Sequence, residues 1–266
     1  MISDTHVHTS FSKDSMAPPP AQVERCLALG MKEVCITDHH DYQANAGEND
    51  FVLDFSDYLP YMERLSQRYA GRIRVNVGVE LGLQLRVRPE LEALANSLKV
   101  DYLIGSSHFV DGQDPYFPEF FEGKSENEAY GRYFQVTLER IRAMDCFDAF
   151  GHLDYIVRYG PNTNRHNTYQ AYREWIGPIL KTLIEKGKAL ECNTAGFRYG
   201  LGQPNPSEDI LRHYRSLGGE LITVGSDAHE PGHVAYGFDR LPGLLKSCGF
   251  RYYTVYHSRI PEFIPL

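Results

Sequence analysis

Tyr102-Leu103-Ile104-Gly105-Ser106-Ser107-His108 is a short run of strand-type sequence that ends almost at once in a histidine. It shows little polar alternation, which suits a parallel strand buried on both faces. The same construction recurs along the chain. Residues 2–6, 33–37, 73–80, 148–152, 189–193 and 221–225 are equally brief and rich in Val, Ile, Leu, Phe and Tyr, and a last such run occupies 252–256. Helical stretches separate them. Residues 125–145 open with Ser125-Glu126-Asn127-Glu128, a capping box, and continue with an apolar face of Tyr130, Phe134, Leu138 and Ile141 at helical spacing. Residues 168–186 carry Trp175, Ile176, Ile179, Leu180, Leu183 and Ile184 and stop at Gly187. Ser207 caps a helix whose first turn holds Glu208 and Asp209. Further helices are expected over 20–29, 55–69 and 89–98. Strand–helix alternation predicts a parallel sheet. Seven or eight units in about 250 residues close most naturally into a TIM-barrel-like α/β fold, a distorted (β/α)7-type barrel. No dinucleotide-type glycine loop follows the first run, and no linker or repeat interrupts the chain, so residues 1–266 are expected to form a single domain. The polar loops 41–54, 109–124 and 153–167 are expected at the rim.

The bulk numbers exclude several classes of protein. The 266 residues are 42% hydrophobic and 23% charged, with a formal charge of -8. That charge argues against a nucleic-acid partner held on a broad basic face, although arginines and metals can reverse the field locally around a small anion. The 5 cysteines are odd in number and lack CxxC spacing. They read as free thiols in a reducing compartment, so a cytoplasmic location is expected. No apolar run approaches the roughly 20 residues of a membrane span. The N-terminus lacks a signal pattern, and a candidate ligand already at position 6 leads us to expect no segment ahead of the fold.

The strand ends carry the chemistry. His6 and His8 follow the first run, with Asp14 shortly after. His39 and His40 follow the second, Glu80 ends the third, His108 follows the fourth, His152 ends the fifth, and Asp227 and His229 follow the seventh. In a parallel barrel these C-terminal ends form one face, where active sites lie. A lone His-x-His is weak evidence, and His166, His213, His233 and His257 are read as ordinary core or surface histidines. The joint pattern is harder to obtain by chance. Imidazole with carboxylate suits Zn, Fe or Mn. The candidates exceed the roughly three or four protein ligands of one tetrahedral zinc, and suffice for about two to three divalent metal ions.

Taken together, His6-x-His8 with Asp14, Thr37-Asp38-His39, Glu80, Ser107-His108, Gly151-His152 and Ser226-Asp227-x-His229 resemble the motifs of the PHP (polymerase and histidinol phosphatase) superfamily, over residues 4–229. Length and the Asp at position 14 resemble its histidinol-phosphate phosphatase branch. The resemblance implies a trinuclear site. His6, His8, Glu80 and Asp227 would hold one ion, and Glu80 would bridge to a second completed by His108 and His152. Asp14, His39 and His229 would hold a third. Some members have His where this chain has Asp14, so the third ion could differ in identity or affinity. The expected activity is hydrolysis of a phosphate monoester, L-histidinol phosphate to L-histidinol and phosphate in histidine biosynthesis, by attack of a metal-bound hydroxide. Arg158 and Arg198, in loops after strand ends, are expected to bind phosphate oxygens. His40 is a candidate general acid, and Asn193 a candidate phosphate contact. The loop 109–124 offers Asp111, Asp114, Tyr116, Phe117, Glu119 and Phe120 to an ammonium and an imidazole. The alternatives are the same fold acting on another phosphoester, as a nucleotide phosphodiesterase or a phosphotyrosine phosphatase, an amidohydrolase, and a barrel whose metals serve stability alone. His108, at the position where amidohydrolases place a bridging Lys or Glu, disfavours the second of these.

Overall fold

Each of the first seven apolar runs forms a parallel strand, and the eighth does not. A computed structural model of the chain describes residues 1–42, 51–162 and 169–266. The principal sheet has eight strands: β1 (Ser3–Val7), β2 (Glu33–Ile36), β3 (His39–His40), β4 (Arg74–Gly82), β5 (Tyr102–Ser106), β6 (Ala149–Phe150), β7 (Ala189–Asn193) and β8 (Ile222–Gly225). Their order is β1-β2-β4-β5-β6-β7-β8, with β3 off that path against the end of β4. The seam between β1 and β8 closes just beyond the strands, through a parallel bridge of Val7 with Ala228 and backbone bonds from Asp227 N to His6 O (2.8 Å) and His8 N to Ala228 O (2.9 Å). The barrel is therefore nearly closed at its C-terminal mouth, as the sequence led us to expect.

The eighth run becomes β9 (Tyr252–His257), which pairs antiparallel with β10 (Ile260–Pro265) outside the barrel sheet. Nothing in its residue pattern distinguishes this edge hairpin from a buried strand. The hairpin plugs the opposite end of the barrel. Tyr256 stacks on Tyr102 with ring centroids 5.1 Å apart, and Arg259 pairs with Asp148 at 2.9 Å, just ahead of β6. Cys35, Ile104, Ala149 and Ala189 cluster with those two tyrosines, the cysteine and the alanines being small enough to leave room for the rings. The expected strand over 148–152 shrinks to Ala149–Phe150. Asp148 turns its carboxylate to Leu103 N, and His152 leaves the β region altogether, at φ 24°.

The helices wrap the outside: α1 (Pro19–Ala28), α2 (Phe55–Tyr69), α3 (Arg88–Ser97), α4 (Glu126–Ala143), α5 (Arg173–Glu185), α6 (Ala195–Arg198), α7 (Glu208–Ser216) and α8 (Leu241–Ser247). In α4 the capping box forms as expected: Ser125 accepts from Glu128 N, and Glu128 reaches back to Ser125 N at 2.8 Å. Its face of Tyr130, Phe134, Leu138 and Ile141 is buried, as are Ile176, Ile179, Leu180 and Leu183 of α5. Each such side chain contributes about 1.5–3 kcal/mol of burial. Ser207 sits at the cap position of α7 but does not cap it; its hydroxyl goes to Asp209 instead. The expected helix start at Thr168, the residue His166 and most of the 41–54 loop fall outside the described residues. Among the described residues, no helix is long and apolar enough to cross a membrane.

Candidate metal centre

Strand register builds the centre. β3 pairs His39 directly with Glu80 of β4, and β4 sets Glu80 beside Ile104 of β5. The Glu80 side chain is fully buried and points into the mouth. Its Oε1 accepts from Ser106 Oγ (2.7 Å) and lies 2.8 Å from His152 Nε2 and 3.2 Å from His108 Nε2. Its Oε2 lies 3.0 Å from His39 Nδ1, 3.3 Å from His6 Nε2 and 3.5 Å from His8 Nε2. Asp227, held at φ 55° just past β8, reaches His8 Nε2 at 3.4 Å and His6 Nε2 at 3.8 Å. Asp14 Oδ2 lies 3.1 Å from His229 Nε2 and 3.5 Å from His39 Nε2. The structure thus brings every residue expected as a ligand into one cluster. Asp14, His39, His108, His152, Asp227 and His229 line a cavity of about 880 Å³, while His6, His8 and Glu80 are fully buried beside it.

The donor set fits cations. His6 Nε2 and His8 Nε2 face each other at 3.0 Å. Glu80 Oε2 and His39 Nδ1 are in contact and buried, yet neither makes an aligned hydrogen bond among the described residues. Ring lone pairs and carboxylate oxygens crowded together in this way call for a Lewis acid between them, and mixed N/O ligands suit Zn, Fe or Mn. His6, His8 and Glu80 can bring ligand atoms within 4.8 Å of one another, as can Glu80, His108 and His152, or His8, His39 and His229. Several ions can therefore be held side by side.

Electrostatics follow from the burial. Desolvation would raise the Glu80 carboxyl, but His6, His108 and His39 hold it well below its ordinary value. Asp227 is held low in the same way, against desolvation, by Arg158 and His6. Desolvation together with neighbouring His229 and His39 pushes His8 well down, so it stays a neutral ligand-type imidazole. Desolvation likewise lowers His152. His108 moves the other way: desolvation would lower it, but Asp41 and Glu80 carry it up to about 10.

Other expectations need correcting. His40 is not in the cavity. Successive residues of a strand face opposite sides, so when His39 turns to the mouth His40 turns away. There its Nδ1 accepts from Leu53 N at 3.2 Å, and its ring packs on Tyr42 and Phe55. It can protonate no leaving group there. Asn193 is fully buried and absent from the cavity wall. Its Oδ1 accepts from Arg158 Nη2 at 3.1 Å, so it holds the arginine and makes no contact of its own with the cavity. Arg158 and Arg198 do line the cavity. Arg158 is pinned by Asp227 Oδ2 (2.8 Å), Asn205 Oδ1 (3.0 Å) and Asn193, and Arg198 donates to the Asp227 carbonyl at 3.1 Å. Of the loop 109–124, Phe109, Asp114, Tyr116 and Phe117 line the cavity; Asp111 is spent on Arg132, and Glu119 and Phe120 stay outside it. His233, read as ordinary, lines the wall.

Sequence reasoning missed two carboxylates. Asp41 accepts from His108 Nδ1 at 2.9 Å and lies 3.7 Å from His39 Nδ1. Glu191 lies 2.6 Å from His6 Nδ1. A period-2 reading would have found both, since Asp41 is two positions past His39 and Glu191 two before Asn193.

A nest of imidazoles and carboxylates at the C-terminal mouth of a parallel barrel defines a metal-dependent hydrolase of the barrel class. Within that class the chain belongs to the PHP domain family, whose sequence profile matches residues 4–195. It is 32% identical over 251 residues to a histidinol-phosphatase of Lactococcus lactis subsp. lactis, an alignment covering 93% of this chain and 91% of the relative. It is 31% identical to a Thermotoga maritima protein named "probable histidinol-phosphatase", over 95% and 94% of the two chains. The solved structure of histidinol phosphate phosphatase from Lactococcus lactis subsp. lactis Il1403, complexed with zinc, L-histidinol and phosphate, is similar with a TM-score of 0.91 at 30% identity. That similarity covers 98% of each chain.

Proposed function

We propose that this chain hydrolyses L-histidinol phosphate to L-histidinol and phosphate, a step of histidine synthesis. The observation that carries this reading is the buried Glu80 carboxylate, within 3.5 Å of His6, His8, His39, His108 and His152, beside a cavity whose wall carries Arg158 and Arg198. The similarity to a protein crystallised with zinc, histidinol and phosphate supports the choice of substrate. His6, His8, Glu80 and Asp227 would hold one ion; Glu80, His108 and His152 a second; Asp14, His39 and His229 a third. Divalent cations there supply Lewis acidity, drawing charge from phosphate oxygens and making water a stronger acid.

The chain's own residues do the rest. Arg158 enters the wall already oriented by three acceptors, so it gives its remaining hydrogens to a phosphate oxygen with little reorganisation. Arg198, tied to the backbone of Asp227, adds a second positive charge at the same side. Elsewhere on the same wall, beside Arg158, Asp114 with Tyr116, Phe117 and Tyr155 offers a carboxylate and aromatic faces to an ammonium and an imidazole. Asp114 is fixed for this by bonds from Tyr116 N (2.8 Å) and Tyr155 Oη (3.3 Å). In this reading residues 1–266 serve as one catalytic domain. Its substrate is small and phosphorylated, its partner is no nucleic acid, and its setting is the cytoplasm, where the five buried free thiols stay reduced.

The test compares kcat/KM of zinc-loaded protein on histidinol phosphate and phosphotyrosine, read as inorganic phosphate released, and on a nucleotide diester, read as nucleoside monophosphate formed. The proposal expects histidinol phosphate to be preferred. A preference for the diester or for phosphotyrosine would reject it.

A further inference from the structure

We propose that Glu191 is a positioning residue whose carboxylate fixes the His6 ring and the His152 backbone, and so sets the affinity of the centre for the cations those imidazoles would hold. The inference rests on the metal reading given above.

Glu191 lies on β7, fully buried, with its side chain inside the barrel between β6 and β8. Its Oε1 is 2.6 Å from His6 Nδ1. Its Oε2 accepts from His152 N at 2.8 Å and from Asn193 Nδ2 at 3.0 Å. His152 N and Asn193 Nδ2 are donors, and we assign the same role to His6 Nδ1, since a carboxylate without a proton only accepts. With Nδ1–H bound to Glu191, His6 presents the lone pair of Nε2 to the cluster, toward His8 Nε2 and Glu80 Oε2. Outer carboxylates that fix the tautomer and orientation of a ligand imidazole raise its basicity toward a metal.

The second arm of the carboxylate matters as much. His152 sits at φ 24°, a backbone conformation a non-glycine residue keeps only where its surroundings over-determine it. The bond from His152 N to Glu191 is one such determinant, and it aims the ring so that Nε2 meets Glu80. The neighbouring strands are cut to fit this carboxylate. A Cβ at Gly225 would lie 2.6 Å from Glu191 Oε1 and against His6. None of the Glu191 bonds reaches Asp14, His39 or His229.

Glu191→Gln keeps the shape and puts an amide N–H where an acceptor stood. If that N–H faces His6, the ring inverts its tautomer and its Nε2 carries a hydrogen in the cluster. If it faces the other way, His152 N and Asn193 lose their acceptor. The test is zinc affinity of the full chain by competition with a chromophoric chelator. In the variant, affinity should fall by about 10–100-fold for part of the bound zinc. The zinc held by Asp14, His39 and His229 should keep its affinity. An Ile179→Val control, in the α5 core away from the cavity, should lower the melting temperature and leave zinc affinity alone. Wild-type zinc affinities in Glu191→Gln would overturn the proposal, as would a uniform loss across all ions that tracks melting temperature.

A wild-type chain that binds no zinc would instead reject the metal reading, and the inference with it. A second measurement needs no variant. In zinc-loaded wild-type protein, nitrogen-15 spectra should show a proton on His6 Nδ1, shifted downfield by the carboxylate and assigned through its proximity to Gly225. A bare Nδ1 would overturn the proposal.

Discussion

Arg158 carries two duties on one side chain. It lines the cavity where a phosphate would enter, and it neutralises Asp227 from 2.8 Å with both groups buried. Arg158→Ala should therefore lower kcat/KM for histidinol phosphate by about 10²-fold, as loss of a preorganised donor does. In metal-free protein it should also destabilise the fold by about 3 kcal/mol, because buried Asp227 loses its arginine partner and keeps only imidazoles beside it. Steady-state kinetics and denaturant unfolding read the two effects separately, and wild-type kcat/KM in the variant would refute the first. The arginine was legible in the sequence because it follows a strand end. The groups that hold it were not: Asn193 and Asn205 come from distant segments, and nothing local marks them as its acceptors. His40 shows the opposite failure. Adjacency to His39 suggested a shared site, whereas the strand's period of two sends neighbours apart.

At the scale of elements, the strand ends were the readable part, since an apolar run broken by His, Asp or Glu marks both a boundary and a candidate ligand. Helix α2 and the capping box of α4 were readable for the same local reason. Two-residue β3 and the short α6 were not, being too brief to carry a period. The terminal hairpin was misread because apolar composition does not name a partner. What fastens it is chemical: His257 lies 2.8 Å from Glu33 at the start of β2 and 2.7 Å from Glu262 on β10. Partial burial would lower His257, but its hydrogen bonds to Glu262 and Glu33 raise it above 6.5. A raised folded value means that the protonated ring stabilises the fold fully below about 6.5 and loses that contribution as pH climbs through the folded value. His257→Gln should therefore lower the melting temperature at pH near 6 and converge on wild type in mild alkali. A gap that widens with pH would contradict this.

For the whole molecule, the governing fact is convergence. Residues as far apart in sequence as His6 and His229 meet because a nearly closed parallel barrel gathers its strand ends at one mouth, and the β1–β8 seam closes at the very segment carrying Asp227. The net charge of -8 is no obstacle, because the site's own acids are spent on imidazoles, Arg158 and, in this account, cations. The direct test is a crystal of the zinc-soaked chain with anomalous data collected at the zinc edge. More than one anomalous peak is expected at the mouth, each about 2.0–2.2 Å from its ligand atoms, with Glu80 touching at least two of the ions. Peaks confined to the surface, or a mouth without density after soaking, would contradict this.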